Sequence, residues 1–218
     1  MTKDEVKLNI AKIGKEIGAN VPVLFGVAGI ESNFNPSSKS KSGTYVGIYQ
    51  LSNGWGGCKD DDRLDLAKSI KCFWYNHSTY QKRWAETGDK SWDDFYHYGI
   101  HQQGFAGFRD IYKNKNKLIS EISEARQKSI LSNKPSSLSW NKVSDWWDYF
   151  YKKFYANYDL AMPYINDNKG LQVVDNFLDK IGLNRSVNNW NTGQKVLIYG
   201  GGLILLSGIF CFIRERII

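Results

Sequence analysis

Ile30-Glu31-Ser32-Asn33-Phe34-Asn35-Pro36, with Gly47-Ile48-Tyr49-Gln50-Leu51-Ser52 downstream, sets the reading of this chain. Pro22 sits where the first turn of a helix tolerates proline, and Asn35-Pro36 stops what begins there. A helix is therefore predicted over about Pro22 to Phe34. Glu31 falls near its C-terminal end, between Val27, Ile30 and Phe34. Partial desolvation disfavours the charged carboxylate, and the negative end of the helix dipole does the same. Both raise its pKa. A carboxyl still protonated near neutral pH is able to give a proton to a leaving glycosidic oxygen. A single glutamate at a helix end is more often simply exposed, so position alone decides little.

The wider pattern carries more. Glu31-Ser32, then Asn35-Pro36, then Gly47-Ile48-Tyr49-Gln50-Leu51 follow one another at a spacing that resembles the soluble-type lytic transglycosylases. These are a branch of the goose-lysozyme-like superfamily that includes phage wall-degrading enzymes. A third block, Tyr98-Gly99-Ile100-His101-Gln102-Gln103-Gly104-Phe105-Ala106-Gly107, looks like the later turn of that family. The likeness covers about residues 20–110. The chain departs from the family in its polar Ser37–Ser42 loop, in Tyr49 where many members carry methionine, and in Asn53 where proline often follows. His101-Gln102-Gln103-Gly104 replaces the usual Tyr-Asn-x-Gly.

The resemblance implies a mainly α, lysozyme-like catalytic domain that cleaves between N-acetylmuramic acid and N-acetylglucosamine in peptidoglycan glycan strands. It gives Glu31 the role of acid, then base, in closing a 1,6-anhydro ring. A muramidase of the same fold is the alternative. A hydrolase needs a second carboxylate about 5–5.5 Å away for retention or about 6.5–9.5 Å for inversion. Asp60, Asp61, Asp62 and Asp65 are the candidates, although such a cluster beside Arg63 more often forms a solvated turn or helix cap. By physical fit, Ser32 contacts substrate or caps the helix, Gln50 contacts sugar or closes its loop, and Tyr98 orients Glu31 or packs. Tyr49 and Gln102 are further groove candidates. A non-catalytic wall-binding protein on the same fold is the competing class.

The formal net charge is +7, which suits polyanions: nucleic acid, anionic lipid, or a wall bearing carboxylates and phosphates. No zinc-finger spacing, RRM-type signature or basic-region heptad appears, so nucleic acid is not expected as a partner. The cysteines are Cys58, Cys72 and Cys211, with no CxxC, and His77, His97 and His101 form no H-E-x-x-H pattern. No metal and no cofactor are expected. Cys58 and Cys72 either pair or remain free thiols; Cys211 lies in an apolar run.

Along the chain, Val6, Ile10, Ile13 and Ile17 recur at helical spacing and predict a helix over residues 4–18. A loop is expected from Ser37 to about Gly57. Helices are expected over Leu64 to Trp84, Trp92 to Gly99, and Lys115 to Leu131. In residues 140–165, Trp147, Phe150, Phe154 and Tyr158 fit one helical face. That face reads as a packed helix, with an extra carbohydrate platform as the alternative. The organisation expected is a catalytic domain with its helical extension at 1–165, an amphipathic segment and linker at 166–194, a transmembrane helix at 195–214 and a tail at 215–218.

The membrane expectation rests on Val196 to Ile213, which is free of charge and almost wholly apolar. A spanning helix needs roughly 17–25 such residues. Arg214 and Arg216 beyond it favour a cytoplasmic C-terminus, with Lys195 opposing. Met1 to Glu5 is polar and no apolar stretch follows, so no signal peptide is expected. A tethered wall-cutting enzyme of that kind suits a phage virion, where other virion proteins are possible partners. The alternative location is the bacterial envelope, with the catalytic domain outside the cytoplasm.

Overall fold

Asn20 starts the helix around which the rest is arranged. Its side chain accepts a hydrogen bond from the Val23 amide, Pro22 occupies the first turn, and helix α2 runs over Val21–Ser32. Val21, Val23, Leu24, Phe25, Gly26, Val27 and Ala28 are all buried. A helix apolar on every side belongs inside a domain, enclosed by other helices. Those helices are α1 (Lys3–Glu16), α5 (Phe95–Gln103) and α8 (Val143–Tyr158). The computed structural model describes residues 1–59 and 61–165.

The fold is mainly α, as expected. Helix α1 opens with a capping box in which Thr2 and Glu5 satisfy each other's backbone amides. Its Val6, Ile10 and Ala11 face the core. The long loop after α2 contains a short antiparallel hairpin, β1 (Tyr45–Val46) with β2 (Leu51–Ser52), paired Tyr45 to Ser52 and Val46 to Leu51. Next come α3 (Leu66–His77), capped by Asp65, and α4 (Tyr80–Ala85). The helix expected from Leu64 to Trp84 is thus two. Between them the Ser78 and Thr79 hydroxyls bond back to Tyr75 and Asn76 carbonyls, competing with the helix ladder.

Two further boundaries differ from expectation. Helix α5 continues to Gln103, and Gly104 at φ 69° turns the chain directly into α6 (Phe105–Lys113), which the glycine-bracketed sequence concealed. The expected helix from Lys115 to Leu131 is instead a turn, a 3-10 turn at Ile119–Glu121 and α7 (Glu124–Leu131). The Ile119 amide bonds to the Asn141 carbonyl and the Val143 amide to the Lys117 carbonyl. Those cross-links hold the 117–119 backbone out of a helix. A final short helix, α9, covers Met162–Ile165.

Helix α8 supplies the aromatic wall of the core. Trp146, Trp147, Phe150 and Phe154 are buried, so this face packs inward and is not a carbohydrate platform. Its tyrosines hold it in place: Tyr151 and Tyr155 donate to Asp93, and Tyr158 donates to Asp94. Asn20 donates to the same Asp94 carboxylate, which ties the starts of α2 and α5 to α8. Helices α2 and α8 approach closely because α2 carries glycine where they cross. A Cβ at Gly26 would collide with the Phe154 ring, and one at Gly29 with Asn157. Among the described residues no helix is long and apolar enough to cross a membrane. The expected segments at 166–194 and 195–214 lie outside the described residues.

Candidate active site

Helix α2 ends abruptly one residue after Ser32. Asn33 takes the left-handed conformation at φ 52°, and Phe34 follows at φ 62°. Two consecutive non-glycine residues with positive φ are costly, on the order of 1–3 kcal/mol each. Phe34 is held there by burial against Phe25, ring centroids 5.6 Å apart. The reversal leaves Glu31 in the last turn of α2, on the wall of an open cavity of about 670 Å³. The volume is within the range of small-ligand sites.

Glu31 is half-buried and lines this cavity. Burial raises its pKa from 4.5 to about 8. No cation and no hydrogen-bond donor among the described residues offsets that desolvation. It is also the one carboxylate among the described residues lining the cavity. The acidic cluster does not reach it: Asp65 caps α3 through the Lys68 amide, and Asp62 pairs with Lys68 Nζ at 2.8 Å. Asp61 does not line the cavity either, and Asp60 lies outside the described residues.

The opposite wall is the hairpin. Gly47 sits at φ 80°, and a Cβ there would collide with the Arg63 backbone carbonyl. The Gly47 amide bonds to Ser38 O at 2.8 Å. Gln50 lines the cavity, and its amide nitrogen donates to Gly47 O at 2.9 Å and Ser38 O at 3.2 Å. Loop closure is therefore its first role, which leaves only the amide oxygen for a ligand. The buried Arg63 guanidinium donates to Thr44 O and Leu51 O, bracing the hairpin from behind.

Of the other expected residues, Gln102 lines the cavity and donates from Nε2 to the Tyr98 hydroxyl at 3.2 Å. Tyr98 is buried behind the wall. Burial, and then the charge of Glu31, hold its phenol well above the usual range, so the two groups sense each other. Ser32 Oγ donates to Ala28 O at 3.0 Å, a helix back-bond rather than a groove contact. Tyr49 is a correction: it is fully buried and stacks on Phe73 at 4.3 Å, so it belongs to the core.

The structure adds residues that the motif reading passed over. Trp55, half-buried, and Tyr45, half its surface exposed, both line the cavity. Flat aromatic surfaces beside amide groups suit the apolar faces and acetamido groups of amino sugars. Trp55 stands between Gly54 and Gly56-Gly57, and an aromatic bracketed by glycines in a polar loop was a signal in the sequence. His101 also lines the cavity, its Nε2 at 2.9 Å from Tyr49 O. Cys58 and Cys72 are disulfide-bonded, which fastens the Trp55 loop to α3. No group of residues able to hold a metal occurs among the described residues.

Comparison with family models, with curated proteins and with solved structures finds no match for this chain.

Proposed function

We propose that this protein is a peptidoglycan lytic transglycosylase that cleaves the bond between N-acetylmuramic acid and N-acetylglucosamine. The single observation that carries this is Glu31: a carboxyl raised to about 8, the one carboxylate among the described residues lining a cavity edged with aromatic rings and amides. At neutral pH it is mostly protonated and acts as the acid. It gives its proton to the glycosidic oxygen as the bond to the anomeric carbon breaks. The neighbouring acetamido group stabilises the cation that forms. The Glu31 carboxylate then takes the proton of the muramoyl 6-hydroxyl while that oxygen attacks the anomeric carbon. A 1,6-anhydro ring closes, the carboxyl is restored and no water is consumed.

A muramidase is the second reading. The lack of another carboxylate among the described residues lining the cavity weighs against it. The Cys58–Cys72 bond suits a domain that works outside the cytoplasm. Tethering through a C-terminal helix, in a virion membrane or a bacterial envelope, belongs to the same proposal.

Purified walls incubated with the full chain, followed by mass spectrometry of the released muropeptides, tests it. Anhydro ends are expected; reducing ends would mean a hydrolase. Glu31→Gln is expected to lower the rate at least ~10²-fold. Activity should also fall as pH rises through about 8, where the acid is lost. A Glu31→Gln protein that digests walls as the native one does would end the proposal.

A further inference from the structure

A second cavity, of about 520 Å³, lies away from Glu31 and shares no lining residue with its groove. Lys90, from the turn after α4, and Arg109 and Lys113, one turn apart on α6, all line it. None of the three cations has an ion pair or hydrogen bond from its side chain among the described residues. Lys113, in the last turn of α6, answers the negative end of that helix's dipole. That accounts for one cation but not for Arg109 or Lys90.

One carboxylate, Asp89, lines the cavity beside them. Asp89 accepts from the Ser91 amide at 2.9 Å and the Ser91 hydroxyl at 2.6 Å, and these bonds hold its carboxyl below the usual range. Asp110, on α6, faces Arg126 and Asn114. Trp84, 1% exposed, also lines the cavity, and its indole N–H is among the groups that hold the Asp89 carboxyl below the usual range.

We infer that this cavity binds a phosphate carried on a hydroxyl-bearing unit, of the polyol-phosphate or sugar-phosphate kind. Three cations around one carboxylate leave the lining net positive, which suits the several oxygens of a phosphate, and an arginine supplies the paired donors phosphate prefers. The cavity is far larger than a phosphate. The remaining space runs beside Tyr112 and Thr87, whose hydroxyls, bonded to the Ser91 hydroxyl and to Trp84 O, keep acceptor lone pairs for a ligand's hydroxyls. The inference does not rest on Glu31, and it gives a basic protein a means of holding a phosphate-bearing polymer while its groove works elsewhere.

The test is fluorescence anisotropy of a short labelled poly(glycerol phosphate) with the full chain in neutral detergent. Saturable binding is expected, with inorganic phosphate competing weakly. Arg109→Gln/Lys113→Gln should weaken binding at least about tenfold while its circular dichroism and melting temperature stay native. Glu31→Gln should bind as the native chain does, which separates this result from the fate of the catalytic proposal. Micelles bearing phosphatidylglycerol that compete through the same residues would support the phosphate site and make a lipid headgroup its source. Single-stranded DNA of equal charge binding as tightly, through the same residues, would overturn the polyol assignment. Unchanged affinity in the double variant would overturn the site itself.

Discussion

Trp55 puts a flat aromatic face on the wall of the Glu31 cavity, in an otherwise polar loop. It lies edge-on to His101 at 5.6 Å and near-parallel to Phe73 at 6.4 Å, so the ring is braced from behind while part of it lines the groove. A ring already fixed loses little freedom when a sugar stacks on it. Trp55→Ala should raise KM for wall fragments by about tenfold, with kcat changed far less, since about 1–2 kcal/mol of apolar ring burial is removed from ground and transition state alike. Steady-state kinetics on a soluble glycan oligomer reads the split; a loss confined to kcat would place Trp55 in the chemistry. At this scale Glu31 was legible, because Val27, Ile30 and Phe34 around a helix-terminal carboxyl announce desolvation. Tyr49 was not, because nothing local shows that it turns inward onto Phe73.

Among the elements, the pairing of α2 with α8 fixes where Glu31 sits. Gly26 permits it: a Cβ there would meet several atoms of the Phe154 ring. Gly26→Ala is expected to destabilise by about 1–3 kcal/mol, because Phe154 is fully buried and has no room to withdraw. Denaturant unfolding should show the midpoint falling with the m-value kept; an unchanged midpoint would mean the helices adjust freely. The Cys58–Cys72 bond, across a separation of 14 residues, should add about 2–4 kcal/mol through the unfolded state. A reductant should therefore lower Tm, and Cys58→Ser/Cys72→Ser should remove that response. Helices α1, α2 and α8 were readable from apolar spacing and from proline. Helix α6 was not, since Gly104 and Gly107 read as breakers. Gly107 sits inside the helix because the Arg126 guanidinium takes the place of its side chain, with Nη1 only 2.6 Å from where a Cβ would stand. That contact comes from α7 and leaves no local trace.

Over the whole molecule, two opposite titrations set the pH range of stability. His77, His97 and His101 gather in one aromatic box, His77 lying 5.6 Å from each of the others and stacked on Phe73 at 3.9 Å. Neither ring nitrogen of His77 has a hydrogen-bond partner among the described residues. Burial lowers all three, His97 and His101 to about 4 and His77 well below its usual 6.5. Their contribution is therefore complete above about pH 6.5 and is lost as pH falls toward 4, because the unfolded chain then takes up protons the fold refuses. Glu31 has the reverse sign. Its folded pKa of about 8 exceeds 4.5, so its contribution is complete below pH 4.5 and disappears as pH rises through about 8. Three histidines outweigh one glutamate on the acid side, while on the alkaline side Glu31 acts first, and above about pH 10 the buried tyrosines, Tyr98 among them, add to its effect. Stability should peak near neutrality, falling more steeply toward acid than toward alkali. Glu31→Gln should abolish the decline up to about pH 9 and raise Tm there by several degrees, at ~2–4 °C per kcal/mol for a domain of this size. His77→Leu, which removes two unpartnered nitrogens from the core, should shallow the acid limb and leave the alkaline one untouched. Melting curves of the three proteins across pH decide it: parallel shifts at every pH, with no change in slope, would mean that neither buried group is coupled to folding as this structure requires.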